Sequence, residues 1–269
     1  MRTRQRVRGL SWAILILGTS RLSSAGEIEI VCHRGANEYA PENTRAAAQI
    51  CVDWGVDYIE IDVRRSRDGV MYILHDTTVD RTTDGSGPIA AMTAEAIDRL
   101  DAGSWFDPKF AGEGVPRLEP YLRWIKGKAK VYFDVKDADL EALIGLVYEV
   151  GMEQDCFFWF GDDALARRFR HLDGRLPLKI NVATPQDVAR AHEEFDAQIV
   201  EARLGQMSPA LVEACRARGI KLMIYHPEKD AQAFRDVIAW GADMINLNNA
   251  DLFMAVQRET LAEAPAARP

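Results

Sequence analysis

Residues 130–151 read KVYFDVKDADLEALIGLVYEVG. A short run rich in Val, Tyr and Phe ends in Asp-Val-Lys-Asp, and a helical pattern follows over 138–150. A strand-like apolar run leading at once into a helix is the unit from which parallel sheets are built. The unit then repeats to the end of the chain. CFFWF (156–160), LKINV (178–182), AQIVEAR (197–203), KLMIY (221–225) and DMINL (243–247) read as strands, with helical stretches at 162–173, 185–195, 208–218, 230–240 and 250–261. Toward the N-terminus, EIEIVCH (27–33) reads as a strand and PENTRAAAQICVDWG as a helix, with Pro41 near its start and Gly55 past its end. DYIEIDV (57–63) is a further strand. Eight strand–helix units in about 250 residues predict an α/β fold, the (β/α)8 TIM barrel. A doubly wound open sheet is the alternative, but no GxGxxG follows the first strand.

The rhythm breaks once. Residues 65–117 contain RDGVMYILHD, RTTDGSGP, a short helical TAEAIDRL and GSWFDPKFAGEGVP, but no clean βα unit. Long insertions of this kind sit over active sites in barrels, so this stretch is expected to form a small insertion after the second strand, capping the barrel mouth. No Pro/Gly/Ser-rich linker divides the chain, and residues 26–269 read as a single domain.

The first 25 residues stand apart. MRTRQRVRG is basic, LSWAILILG is apolar but too short to span a bilayer, and SSA offers small residues for cleavage after Ala25. This is the layout of a secretory signal peptide, which predicts a secreted or periplasmic protein with no stable membrane insertion after cleavage. Cleavage would remove five Arg and no acid, moving the formal charge from −8 to −13. So acidic a chain is not expected to bind nucleic acid through general electrostatics; a small anionic substrate would need local positive charge or a metal. Cys32, Cys51, Cys156 and Cys215 show no CxxC spacing, which argues against zinc and for buried free thiols. Oligomeric state is not legible.

In a barrel, residues at the carboxyl ends of strands face the active-site mouth. The first predicted strand ends in His33-Arg34, the second carries Glu60 and Asp62, and the third ends in Asp134 with Lys136 beyond. Alternation puts Glu60 and Asp62 on one face, and Asp134 and Lys136 on one face. Three converging carboxylates raise one another's pKa unless a hard dication such as Mg²⁺ or Ca²⁺ joins them. If Asp68-Gly69 is a two-residue hairpin turn, Asp62 lies opposite His75, which then returns to the rim near His33. Two imidazoles flanking a cation suit proton transfer in phosphate-ester cleavage. Each residue taken singly also has an ordinary structural explanation: a lone core histidine, a solvated Glu-x-Asp, a surface Asp–Lys pair.

HRG followed by PENT, then YIEIDVRRSRDG, HD and RTTDGSG, resembles the glycerophosphodiester phosphodiesterase family. The resemblance is dense over 31–87, continues through WFDPKFAGEGVPRLE (105–119) and extends loosely to FDVKD. It implies a (β/α)8 barrel with an insertion after the second strand. The implied activity is metal-dependent hydrolysis of small-molecule glycerophosphodiesters to glycerol 3-phosphate and an alcohol. It further implies His33 and His75 as the acid/base pair, Arg34 and Lys136 on the phosphate, and Glu60, Asp62 and Asp134 as ligands of a divalent cation. It leaves open whether a neighbouring substrate hydroxyl or water attacks phosphorus.

The chain departs from the family pattern at three places. Asp134 stands where Glu is usual. In the seventh predicted strand, IYHPEKD with Tyr225 and His226 replaces Trp-Thr-Val-Asn, and Leu247-Asn248-Asn249-Ala250 replaces Thr-Asp-x-Pro after the eighth. The last two lie where the substrate's organic part would be read. Two other functions compete: a phospholipase D-like enzyme acting on lysolipids or sphingolipids, whose relatives share Asp as third ligand, and a non-catalytic phosphodiester-binding barrel.

Overall fold

The computed structural model describes residues 27–263, so the expected signal peptide lies outside the described residues. Eight parallel strands form the barrel: β1 (Glu29–Cys32), β2 (Tyr58–Arg65), β4 (Lys130–Val135), β5 (Cys156–Phe160), β6 (Lys179–Asn181), β7 (Ile199–Arg203), β8 (Lys221–Tyr225) and β9 (Met244–Leu247). They follow the order β5-β4-β2-β1-β9-β8-β7-β6, with β3 (Met71–Ile73) antiparallel on β2. A parallel bridge between Phe158 and Leu178, with the Phe158 N–H 2.9 Å from Pro177 O, brings β5 to β6 and nearly closes the ring. All eight strands coincide with the runs read from sequence, and the barrel expectation holds.

The helices begin where side chains can cap them. Asp139, Asp162, Thr184, Ser208 and Asp230 accept backbone N–H bonds at the starts of α4 (Leu140–Val150), α5 (Asp163–Leu172), α6 (Pro185–Phe195), α7 (Pro209–Arg216) and α8 (Ala231–Trp240). Each such cap stabilises a helix by about 1 kcal/mol. Alternation along each strand then divides the molecule. Outward residues such as Ile59, Ile61, Val63, Val131 and Phe133 pack beneath the helices in the main core. Inward residues form an apolar layer of Val31, Tyr58, Tyr132, Phe157, Ile199, Met223 and Met244 inside the barrel. Nearer the carboxyl ends the inward positions turn polar: Glu60, Asp62, Asp134, Lys179, Glu201 and Asn246. All four cysteines are free and buried. Among the described residues no helix is long and apolar enough to cross a membrane.

Residues 66–117 contribute β3, the short α2 (Ala94–Ile97) and two 3-10 turns around a core of Tyr72, Leu74, Val79, Ile89, Ala94, Ile97, Ala102 and Val115. α3 (Leu118–Ile125) then leads into β4. Two local readings need correction. The helix expected from Pro41 begins only at α1 (Arg45–Trp54): Asn43 takes a left-handed φ of 59°, and Thr44 is the cap, accepting from Ala47 N at 3.3 Å. The hairpin register is also displaced by one residue. β2 and β3 pair Val63 with Ile73 and Arg65 with Met71, and Ser66 N–H bonds Val70 O, so three residues, Arg67-Asp68-Gly69, form the loop. Gly69, at φ +86°, supplies the positive φ that such a loop needs. Asp62 therefore bonds Leu74 N–H, not His75, which lies beyond the end of β3.

Candidate active site

The β2–β4 register sets the site. Asp62 pairs with Asp134 across the two strands, and Glu60 lies one inward step below, beside Tyr132. Carboxylate oxygens of Glu60, Asp62 and Asp134 gather within 4.8 Å of one another, and all three side chains are buried. Among the described residues, neither Asp62 Oδ1 nor Asp134 Oδ1 accepts a hydrogen bond. An all-oxygen set with two orphaned acceptors fits a hard divalent cation. Burial, then the charges of Asp62 and Asp134, push Glu60 well above the usual carboxylate range. Burial, then Asp62, lift Asp134 to about 6 despite Lys136.

Two cations partly neutralise this cluster. Lys136 Nζ lies 2.6 Å from Asp134 and 3.3 Å from Asp62. Burial works against its ammonium, but the two aspartates more than offset it and hold Lys136 above its ordinary value. Arg34, at φ 57°, donates its backbone N–H to Glu60 at 2.7 Å and brings its Nε within 3.4 Å of Asp62. Pro41-Glu42-Asn43-Thr44 works here as a brace. Asn43 Nδ2 donates to Asp62 Oδ2 at 2.8 Å, while Glu42 pairs with Arg34 at 3.2 Å. Gly35 allows the loop to close on α1: a Cβ there would stand 2.9 Å from Ala47 Cβ.

His33 sits at the end of β1, its N–H on Leu247 O. Its tautomer follows from the hydrogen-bond network. The His33 carbonyl can only accept, so the Asn37 group 3.0 Å from it is the amide nitrogen. That nitrogen also donates to Asn248 Oδ1 at 3.0 Å, which identifies the Asn248 atom as oxygen. The same oxygen lies 2.9 Å from His33 Nδ1, so Nδ1 carries a proton, and in the neutral ring Nε2 keeps its lone pair. Burial, then the Arg34 charge, hold His33 below the ordinary histidine value. Both effects favour the neutral ring, in which Nε2 is the basic nitrogen.

His75 is tied to the site differently. Its Nδ1 pairs with Asp76 at 2.7 Å, Asp76 takes Arg81 Nε at 2.6 Å, and Arg81 grips Glu42 with both terminal nitrogens at 2.7 and 2.9 Å. The Arg81 hydrogen bond, chiefly, lowers Asp76 to about 2. Burial would raise Glu42, but Arg81 and Arg34 leave it below its usual value. A continuous latch, His75–Asp76–Arg81–Glu42–Arg34–Asp62, therefore fastens the insertion to the carboxylate cluster.

The residues match a known family along most of the chain. The model of the glycerophosphoryl diester phosphodiesterase family matches residues 33–252. A glycerophosphodiester phosphodiesterase of Caldanaerobacter subterraneus subsp. tengcongensis is 30% identical over 241 residues, 86% of this chain and 98% of that one. The crystal structure of a glycerophosphodiester phosphodiesterase from Agrobacterium tumefaciens superposes with a TM-score of 0.82 at 39% identity, covering 85% of this chain and all of that one. The chain belongs to the glycerophosphoryl diester phosphodiesterase family. A Bacillus subtilis relative, 43% identical over 122 residues, is matched over 49% of its own length, so the chain spans about half of that protein. The family consists of phosphoric diester hydrolases that use a divalent metal, and the Glu60–Asp62–Asp134 cluster can hold one.

Within this family frame, sequence reading overlooked the supports. No local pattern marks a role for Asn37, Asp76 or Arg81, the helical pattern from Pro41 takes in Glu42 and Asn43, and Asn248 stands out only as a departure from the family pattern. Of the two rim residues in the altered β8 segment, Tyr225 meets His33 edge-on at 5.5 Å, whereas the His226 ring packs on Phe234. Trp105 and Phe106 belong to an aromatic cluster with Phe110 inside the insertion. Lys179 is fully buried and paired with Glu201 at 3.1 Å.

Proposed function

We propose that this chain hydrolyses glycerophosphodiesters to glycerol 3-phosphate and an alcohol, with Mg²⁺ or Ca²⁺ on Glu60, Asp62 and Asp134 and with His33 and His75 moving the protons. The observation that carries the reading is the convergence of three buried carboxylates beside His33-Arg34 in a chain of this family. When bound, the cation would polarise the phosphoryl oxygens and offset charge on the ester. Arg34 and Lys136 supply fixed positive charge beside the same cluster, suited to a phosphate. His33 Nε2, unprotonated in the tautomer set by Asn248, is suited to take the proton of the attacking hydroxyl. The requirement is the same for water and for a neighbouring substrate hydroxyl. His75 is backed by the Asp76 carboxylate, which can accompany the imidazolium form that a proton donor must adopt before it protonates the leaving alkoxide. The basic, apolar, small-residue layout of residues 1–25 supports export to the periplasm or beyond.

The test is an assay of the purified chain on glycerophosphocholine, glycerophosphoethanolamine and lysophosphatidylcholine, with Mg²⁺, Ca²⁺ or chelator. Metal-dependent release of glycerol 3-phosphate, with losses of 10²-fold or more, as order of magnitude, in folded His33→Ala and His75→Ala, is expected. Turnover of the lysolipid alone would move the chain to the phospholipase D-like reading. No turnover of any diester with any metal would end the enzymatic one.

A further inference from the structure

Arg81, in the RTTDGSG stretch of the insertion, stands between two carboxylates. Its Nε meets Asp76 Oδ2 at 2.6 Å, and its two terminal nitrogens meet Glu42 at 2.7 and 2.9 Å. Each carboxylate has a second partner in a different part of the site. Asp76 Oδ1 takes His75 Nδ1 at 2.7 Å, just beyond β3, and Glu42 takes Arg34 at 3.2 Å, just beyond β1. One planar guanidinium therefore spans the proton donor and the phosphate clamp of the proposed reaction.

The backbone around each of these groups is held without Arg81. His75 O accepts Arg64 Nε at 2.8 Å, and the preceding Leu74 N–H bonds Asp62 O at 2.9 Å. The Arg34 N–H is on Glu60 at 2.7 Å. Beside Arg81 itself, Val79 N–H bonds Gly87 O at 3.0 Å and Thr83 Oγ1 donates to Val79 O at 2.7 Å. The Arg81 side chain is 45% exposed, so little packing depends on it. What it controls is the direction of two other side chains. A carboxylate can only accept, so Asp76 keeps a proton on His75 Nδ1 and leaves Nε2 as the nitrogen for transfer. With Oδ2 fixed by Arg81, the plane of Asp76 is set, and with it the direction of His75.

We propose that Arg81 is a positioning residue for protonation of the leaving alcohol: by gripping Asp76 and Glu42 together it aims His75 at the ester that Arg34 holds. The inference rests on the phosphodiesterase reading above. In the step concerned, the attacking oxygen bonds phosphorus and the bond from phosphorus to the alcohol oxygen breaks. The alcohol oxygen takes the proton of His75 Nε2, leaving a neutral imidazole. Without Arg81, Asp76 and His75 can still pair but turn together, and the donor loses its register with the phosphate. Arg34 keeps its contacts to Glu42 and Asp62. The loss should therefore fall on alcohols that need a proton to leave and spare those that do not.

The test measures kcat and KM of the full chain, at one fixed metal concentration, on two diesters. One is glycerophosphocholine; the other is the p-nitrophenyl diester of glycerol 3-phosphate, whose nitrophenolate leaves unprotonated. Arg81→Gln is expected to lower kcat on glycerophosphocholine by roughly tenfold or more, the scale of a misaimed general acid, and kcat on the nitrophenyl diester by about twofold at most. Asp76→Ala should show the same split. Arg81→Lys keeps the charge but not the fork, and should stay selectively impaired on glycerophosphocholine. The ratio of the two substrates within one protein does not depend on the folded fraction, so a destabilised variant still reports. Equal losses on both diesters in Arg81→Gln, no loss on either, no split in Asp76→Ala, or full recovery in Arg81→Lys would each overturn the positioning role and leave the phosphodiesterase reading standing. Failure of the unaltered chain on both diesters would overturn both.

Discussion

Asn248→Leu removes the side-chain hydrogen bond that, in the proposed reaction, holds His33 in the tautomer a base needs. The Asn248 oxygen accepts from His33 Nδ1 at 2.9 Å and from Asn37 Nδ2 at 3.0 Å. Leucine has similar bulk and no acceptor, so two hydrogen bonds are lost at a net cost of about 1–2 kcal/mol of stability. The catalytic loss is larger. With no acceptor at Nδ1, the imidazole is free to carry its proton on Nε2, where it cannot accept another. General-base catalysis contributes roughly 10²–10⁴-fold, so a kcat loss of about 10- to 100-fold with a small change in KM is expected when the active tautomer becomes the minor one.

The pH profile separates this role from a merely structural one. The Asn248 hydrogen bond raises the His33 pKa, against the larger effects of burial and Arg34, which lower it. Asn248→Leu should therefore move the acidic limb of kcat/KM to lower pH. Asn248→Asp keeps an acceptor and adds negative charge, so it should preserve much of kcat while moving that limb to higher pH. Steady-state kinetics on one diester from pH 5 to 9, with thermal melts to confirm folding, provide the measurement. Full activity in the leucine variant, or the same acidic limb in all three proteins, would refute the tautomer argument.

Three further outcomes follow from the same geometry. Glu60→Gln removes one of three converging buried charges, so the cation-free protein should melt a few degrees higher while the rise in Tm on adding Mg²⁺ or Ca²⁺ largely disappears; an intact rise would remove Glu60 from the ligand set. Asp134, lifted from 3.8 to about 6, holds its proton more tightly folded than unfolded. Its contribution to cation-free stability is therefore full below pH 4 and lost as pH rises through about 6, by roughly 3 kcal/mol at the limit. Cation binding needs the ionised form, so cation-induced stabilisation should fall steeply between pH 6 and 5 in a melt series; a flat dependence would show that Asp134 is not a ligand. Gly35→Ala places a methyl 2.9 Å from Ala47 Cβ at φ +78°, and should cost about 1–3 kcal/mol in denaturant unfolding. A neutral result there would mean that the His33-Arg34 turn has slack.

The barrel was legible because its signals are local. Each parallel strand is an apolar run, and helices α4 to α8 start on Asp, Thr or Ser, so period and capping alone place the elements. The carboxylate cluster was legible for a related reason: strand alternation and strand order put Glu60, Asp62 and Asp134 together. The expected Asp62–His75 pairing failed on the length of the hairpin loop. Three loop residues instead of two shift the pairing by one, and Arg67-Asp68-Gly69 reads equally well either way. The supports were illegible because their partners are remote in sequence. Asn37 meets Asn248 across 211 residues and Arg81 meets Glu42 across 39, and no local pattern marks either pair.

Register accommodates an aspartate at the third carboxylate position. Asp62 and Asp134 are direct partners on neighbouring parallel strands, so their side chains leave the sheet at the same height, about 4.8 Å apart at the backbone. Two short carboxylates can meet from there. Glu60 starts one inward step lower, level with Tyr132, and its extra methylene lets its oxygen reach the same point. Side-chain length thus matches starting height: long from the lower layer and short from the upper. A glutamate at 134 would carry its carboxylate one methylene farther from β4, whereas Asp134 keeps its own within 2.6 Å of Lys136. The shorter side chain keeps the same charge while taking up less of the mouth beside its strand neighbour Trp159 than a glutamate would.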